Sequence, residues 1–171
     1  MYGDAGRIFQ SFWVLNDKER KDELVKLVFN MGSENTVIDA YTVKNELPED
    51  IGVNPITWNL DITVNALVEN AGDDIIVKLG ETIGTQSELY QATTRKMPVN
   101  IDVLHNYYRK LVFTIPDGYT VSNPENMNLN VEMLNNGKIS CKFNSVATLS
   151  GNKLVVISTE YYSESSYPVS R

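Results

Sequence analysis

The chain holds one thiol, Cys141, and one imidazole, His105, so any cysteine–histidine chemistry would have to use this pair. A thiol becomes a nucleophile when its pKa is lowered and an oriented base stands beside it. Neither residue has that setting. In the run KISCKFN, Ile139, Cys141 and Phe143 alternate with Ser140, Lys142 and Asn144, which predicts a strand with the thiol on its apolar side. There it packs as a small hydrophobe and its pKa rises. His105, in VLHNYY, has no identifiable nucleophile partner and reads as a surface or loop residue. No catalytic residue is assigned.

Other chemistries meet similar obstacles. One Cys and one His are too few for a zinc site. Glu49–Asp50 and Asp73–Asp74 lack the ligand spacing of a calcium loop and read as solvated turns, so no metal or other cofactor is expected. GETIGTQS, residues 80–87, superficially suggests a phosphate loop, but it lacks the Lys-Ser/Thr ending and no helix signal follows; a bend at a strand end is expected. With 22 acidic residues, chance carboxylate pairs are inevitable, and none stands among the neighbours a sugar cleft requires. The tyrosines at 107, 108, 161, 162 and 167 carry more information. Adjacent residues of a strand face opposite ways, so one of each pair points outward. Tyr108 and Tyr162 are the candidate rings for a glycan or protein ligand, although strand propensity alone also accounts for tyrosines here.

The elements that must carry these residues follow from periodicity. Leu24, Leu27, Val28 and Met31 recur at three-and-four spacing, Asn16 can cap the start with Glu19 reaching back, and Gly32 can stop the last turn, predicting a helix over 17–31. Before it, Ile8, Phe9, Phe12, Trp13 and Leu15 form an apolar, aromatic segment that packs on the domain or on something preceding it; Phe9, Phe12 and Trp13 are its candidate interdomain contacts. From Thr36 onward, β-branched and aromatic runs alternate with Asn, Gly, Asp and Pro. Trp58, Leu60, Ile62 and Val64 alternate with polar residues as in a half-buried strand. Turns are expected at 70–74, 116–119, 135–138 and 150–153, and a loop at 44–55. The expected fold is mainly β, an antiparallel β-sandwich of immunoglobulin-like architecture over 36–171, with one N-terminal helix in a 1–35 segment packed upon it.

A chain of 171 residues can bury a sizeable core, and 42% hydrophobic with 22% charged residues is ordinary for a folded protein. The net charge of −7 repels phosphate backbones and anionic lipid, so nucleic acid is excluded as an expected partner. The longest apolar runs are far too short to span a bilayer, so no membrane insertion is expected, and MYGDAGRIFQ lacks a signal-peptide core. A single cysteine leaves the redox compartment open.

The stretch AGDDIIVKLGETIGTQSELYQ (Ala71 to Gln91), followed by RKMPVN, YYRKLVFTIPDGYTVSNPENMNLNVEML and EYYSESSYPVSR, resembles the C-terminal β-rich module of exported bacterial transglutaminase-like proteins of the papain fold, a domain of unknown function. The likeness covers most of Lys44–Arg171. It implies a parent chain with an N-terminal β-rich domain, a transglutaminase-like core acting as protease or cross-linking enzyme, and then this module. A periplasmic or cell-surface location follows from the resemblance, as does the preceding core as partner. The family's Cys, His and Asp belong to that core; Cys141 and His105 stand in the wrong module and in reversed order, so no catalytic role carries over. Family members continue past the position of Arg171. The expected function is a non-catalytic architectural or interaction module, the alternative an independent carbohydrate- or protein-binding sandwich.

Overall fold

A computed structural model describes residues 3–30, 36–83, 92–94, 96–101, 104–167 and 169. The chain is mainly β, every strand pairing described is antiparallel, and there are two helices among the described residues. It forms two compact units, Met1–Ser87 and Glu88–Arg171, so the strands of 36–171 are shared between them.

In the first unit, α1 (Gly3–Val14) and α2 (Lys18–Val28) precede a hairpin of β1 (Val37–Lys44) and β2 (Thr57–Thr63). The apolar N-terminal segment is thus a helix of its own, and the expectation of a single helix is corrected. Asp17, not Asn16, caps α2, its carboxylate accepting the Arg20 backbone N–H at 2.9 Å. The Asn16 side-chain amide instead donates back to the Phe12 carbonyl at 2.5 Å, closing the end of α1. The described helix ends at Val28, and Met31 and Gly32, its expected end, lie outside the described residues. Its buried residues are Leu24 and Val25, whereas Leu27 and Val28 are exposed. Two overlapping stripes are legible in this helix, and the Trp13 side of the core selects the one through Leu24 and Val25.

The core of this unit is aromatic. Trp13, Leu24, Val25 and Ile56 are buried, and Phe9, Trp13 and Phe29 surround Trp58 with ring centroids at 5.3, 5.6 and 6.1 Å. β2 alternates as expected, with Trp58, Leu60 and Ile62 on the half-buried face. The loop between β1 and β2 carries a short 3-10 turn at Pro48–Asp50. Beyond it, β3 (Val68–Ala71) and β4 (Asp74–Val77) form the expected hairpin around Gly72, whose φ of 70° favours glycine. Gly80 lies in a 3-10 turn, Leu79–Ile83, rather than at a strand end; 84–87 lie outside the described residues.

In the second unit, β5 (Val99–Asn100) pairs with β10 (Ser166–Tyr167). A four-stranded sheet has the order β6 (His105–Thr114), β9 (Lys153–Tyr162), β8 (Lys138–Ser150), β7 (Leu129–Asn135). Three consecutive hairpin-linked strands with the remaining strand beside the far one is a Greek-key order read along the reversed chain. Asn136 and Gly137, both at positive φ, close β7–β8 as a I′ turn, and Gly151 opens the β8–β9 turn at φ 60°.

Ser140 is an extra residue on β8. Met133 pairs with Cys141 while Leu134 pairs with Ile139, so a bulge intervenes. Ile139 and Cys141 therefore face opposite sides of the sheet, contrary to the simple alternation expected for KISCKFN. The Ser140 hydroxyl donates to the Met133 carbonyl at 3.2 Å, and its own carbonyl accepts from the Ser163 backbone N–H, the Ser163 hydroxyl and the Tyr167 hydroxyl.

Candidate functional site

Helix α1 has an unusual distribution of side chains. Gly6, Gln10 and Trp13 recur at four-and-three spacing on its buried side. Gln10 is 2% exposed and fully engaged: its amide donates to the Asn45 and Asn54 carbonyls at 2.7 and 3.0 Å, and its oxygen accepts the Gly52 N–H at 3.4 Å. A Cβ on Gly52 would stand 3.3 Å from Arg7 Cδ, and its φ of 75° also favours glycine, so the loop approaches α1 closely only with glycine there. Trp13 is 1% exposed and its indole N–H donates to Glu46 Oε2 at 2.9 Å. Two residues further on each time, about 200° around the helix, stand Ile8, Phe12 and Leu15, exposed at 68, 44 and 84%. Of the three residues expected to make an interdomain contact, Trp13 is consumed by its own core and Phe9 is half-buried against Trp58; Phe12 remains accessible.

An open cleft of about 790 Å³ runs between α2 and β1, lined by Trp13, Lys18, Lys21, Asp22, Tyr41 and Glu46 among others. Its charges engage one another. Lys18 Nζ lies 2.7 Å from Asp22, Lys21 Nζ lies 3.5 Å from Glu46 and 5.3 Å from the Trp13 ring centroid, and the Tyr41 hydroxyl donates to Asp22. The hydrogen bond from Lys18 and then that from Tyr41 hold the Asp22 carboxyl below its usual range. Reciprocally, that carboxylate acceptor, with burial, pushes the Tyr41 phenol up to about 12.

In the second unit, the register aligns His105 with Tyr162 and Tyr107 with Glu160, so these four, with Arg109, share one face of the sheet. Glu160 is 6% exposed; Arg109 Nη1 donates to its Oε2 at 3.0 Å and His105 Nε2 lies 3.8 Å from its Oε1. The Arg109 guanidinium lies 4.6 Å from the Tyr107 ring centroid, and the His105 ring stands 4.6 and 4.7 Å from those of Tyr107 and Tyr162. His105 is therefore a half-buried strand residue between two phenols, not a loop residue. Burial, then the neighbouring Glu160 charge, raises the Tyr162 phenol. Cys141 pairs with Tyr162 from the opposite strand, so two strand spacings, roughly 10 Å, separate its backbone from that of His105. Burial raises the half-buried thiol, as expected for an apolar-side cysteine.

Tyr108 lies on the other face, 65% exposed, and its diagonal neighbour there is Tyr161, the partner of Asn106. Tyr162 points the opposite way and is half-buried. The two rings expected to bind ligand thus belong to opposite faces, and the ring beside Tyr108 is Tyr161. Strand register decides this, and it is invisible in a single strand. Arg109 and Glu160 were not singled out by sequence because they meet across 51 residues; Ile8 and Leu15 were legible as apolar, but their outward position depends on Gln10 being buried instead.

Among the described residues no group of three or more His, Cys, Asp or Glu is placed to hold a metal ion, and no helix is long and apolar enough to cross a membrane. Comparison of the chain with protein-family models, with curated proteins and with solved structures returned no match.

Proposed function

We propose that this chain is a non-catalytic architectural and interaction module of an exported transglutaminase-like protein, and that the outer face of α1 docks on the preceding core domain. The observation that carries this reading is the outer face of α1: its inner face is filled by Gln10 and Trp13, yet Ile8, Phe12 and Leu15 form an exposed apolar stripe at helical spacing on the other side. A contiguous apolar stripe on a short helix is disfavoured in water unless another surface covers it. The location and the partner rest on the resemblance of Ala71–Gln91 and the later stretches to that family. The same reading takes the four-stranded sheet as one layer of an immunoglobulin-like sandwich; its Greek-key strand order and the apolar series Leu111, Phe113, Leu154 and Val156 on one face support it.

The test is calorimetric titration of the chain against the transglutaminase-like core. The double variant Ile8→Ser/Phe12→Ser should weaken binding at least tenfold, the scale expected when apolar anchors are lost from an interface. Unchanged affinity with intact helix content would remove the reading. A second reading, carbohydrate or protein binding in its own right, is favoured by the exposed diagonal pair Tyr108 and Tyr161. A glycan array that shows binding lost in Tyr108→Ala would support it over docking.

A further inference from the structure

The four-stranded sheet ends at β7, and no other described strand pairs with its outer side. The Met133 carbonyl accepts the Ser140 hydroxyl and the Leu129 carbonyl accepts the Asn144 side-chain amide, both from β8. The Ala147 N–H of β8 likewise reaches toward this edge, donating to the Asn128 side chain at 2.8 Å. Odd-numbered residues of β7 therefore turn their peptide groups toward β8. Strand alternation turns the N–H and C=O of Asn130 and Glu132 outward, free to pair with a further strand. The side chains along this edge are accessible and largely apolar: Leu129, Val131, Met133 and Leu134 are 50, 63, 39 and 60% exposed.

We infer that β7 is a self-association edge, on which a second copy of the chain pairs antiparallel about a two-fold axis through Val131. In that register Asn130 of each copy meets Glu132 of the other, and these are the two residues whose peptide groups point outward, so each pair exchanges both backbone hydrogen bonds. On one face Leu129 meets Met133 and Val131 meets its own copy, giving continuous apolar contact between facing side chains. On the other, Glu132 meets a neutral amide while keeping Lys142 of its own sheet, 3.5 Å away. Moving the axis to Glu132 opposes two Glu132 carboxylates, and moving it to Asn130 shortens the paired run to Leu129–Val131 because β7 begins at Leu129, so the Val131 register is favoured over both.

Sedimentation equilibrium of the full chain across a concentration series tests this. The wild-type chain should be a reversible dimer. Val131→Lys places two ammonium groups at a close non-hydrogen-bonded pair and should make it monomeric. Asn130→Lys creates two Lys–Glu pairs per dimer and should lower the dissociation constant about fivefold. If Val131→Lys fails to fold, as judged by circular dichroism, Asn130→Glu carries the same test, since it opposes Glu132 and should dissociate the dimer. A wild-type chain that stays monomeric throughout overturns the inference. So does a dimer indifferent to the changes at position 130, which would belong to another surface.

Discussion

The hydroxyl of Tyr167 donates to the carbonyl of Ser140 at 3.0 Å, buried, across 27 residues of chain. Ser140 is the bulged residue of β8, and the bulge turns its carbonyl toward the returning chain, where Ser163 supplies two further donors. Tyr167 thereby ties the short β5–β10 pair to β8, an inner strand of the four-stranded sheet. Tyr167→Phe keeps the ring and removes one of three donors, so we expect a loss of about 1 kcal/mol, readable as a thermal shift of about 4–8 °C in a unit of this size. A shift within error would mean that the Ser163 donors satisfy the carbonyl alone.

Arg109 and Glu160 form the most buried ion pair among the described residues, with side chains 19 and 8% exposed. Arg109→Ala leaves the carboxylate with His105 and Tyr162 but without its guanidinium, and should destabilise by about 3 kcal/mol. Replacing both members, as Arg109→Met with Glu160→Leu, should be milder than the single change, because no unpaired charge stays buried. Urea unfolding of the single and double variants measures the coupling; additivity would show that the pair is not a unit.

The Tyr41–Asp22 hydrogen bond makes stability in the first unit pH-dependent at both extremes. The phenol is raised in the folded state, so its contribution is complete below the ordinary tyrosine range near pH 10 and is lost as pH rises toward about 12. The carboxyl is lowered, so its contribution is present above its ordinary pKa and is lost as pH falls through the depressed folded value. In Tyr41→Phe the alkaline loss should shrink and the Asp22 midpoint, followed by carboxyl NMR, should move up while staying depressed by Lys18. An Asp22 midpoint that does not move would show that Tyr41 contributes nothing to it in solution.

Trp13 is the ring on which the first core closes. Trp13→Ala should destabilise by about 3–5 kcal/mol. Trp13→Phe retains most of the contact with Trp58 but removes the indole N–H bond to Glu46 and the ring beneath Lys21, and should cost less. Fluorescence-monitored unfolding that ranks the two variants equally would place the importance of Trp13 in its polar contacts.

Local chemistry was well expressed in the chain. The β2 alternation from Trp58 to Ile62 and the hairpin turns at Gly72, Asn136–Gly137 and Gly151 are set by residues adjacent in sequence, because strand period and positive φ are properties of a few consecutive positions. The second helix was legible too, although its cap shifted by one residue from Asn16 to Asp17, both good acceptors. The separate helix α1 was missed because Phe9 and Trp13 on its inner side and Ile8, Phe12 and Leu15 on its outer side are all apolar, so that two stripes overlap and the spacing reads as mixed.

What the sequence by itself determined was therefore the β-rich class, the turns and the scarcity of conventional reactive groups. The tertiary structure alone decided which side chains meet: Tyr108 with Tyr161 rather than Tyr162, Arg109 with Glu160, Trp13 inward and Phe12 outward. The physical reason is the same each time. Periodicity states that a residue has two possible faces, but the face that is buried depends on partners dozens of residues away, and a single bulge, as at Ser140, exchanges the faces of everything beyond it.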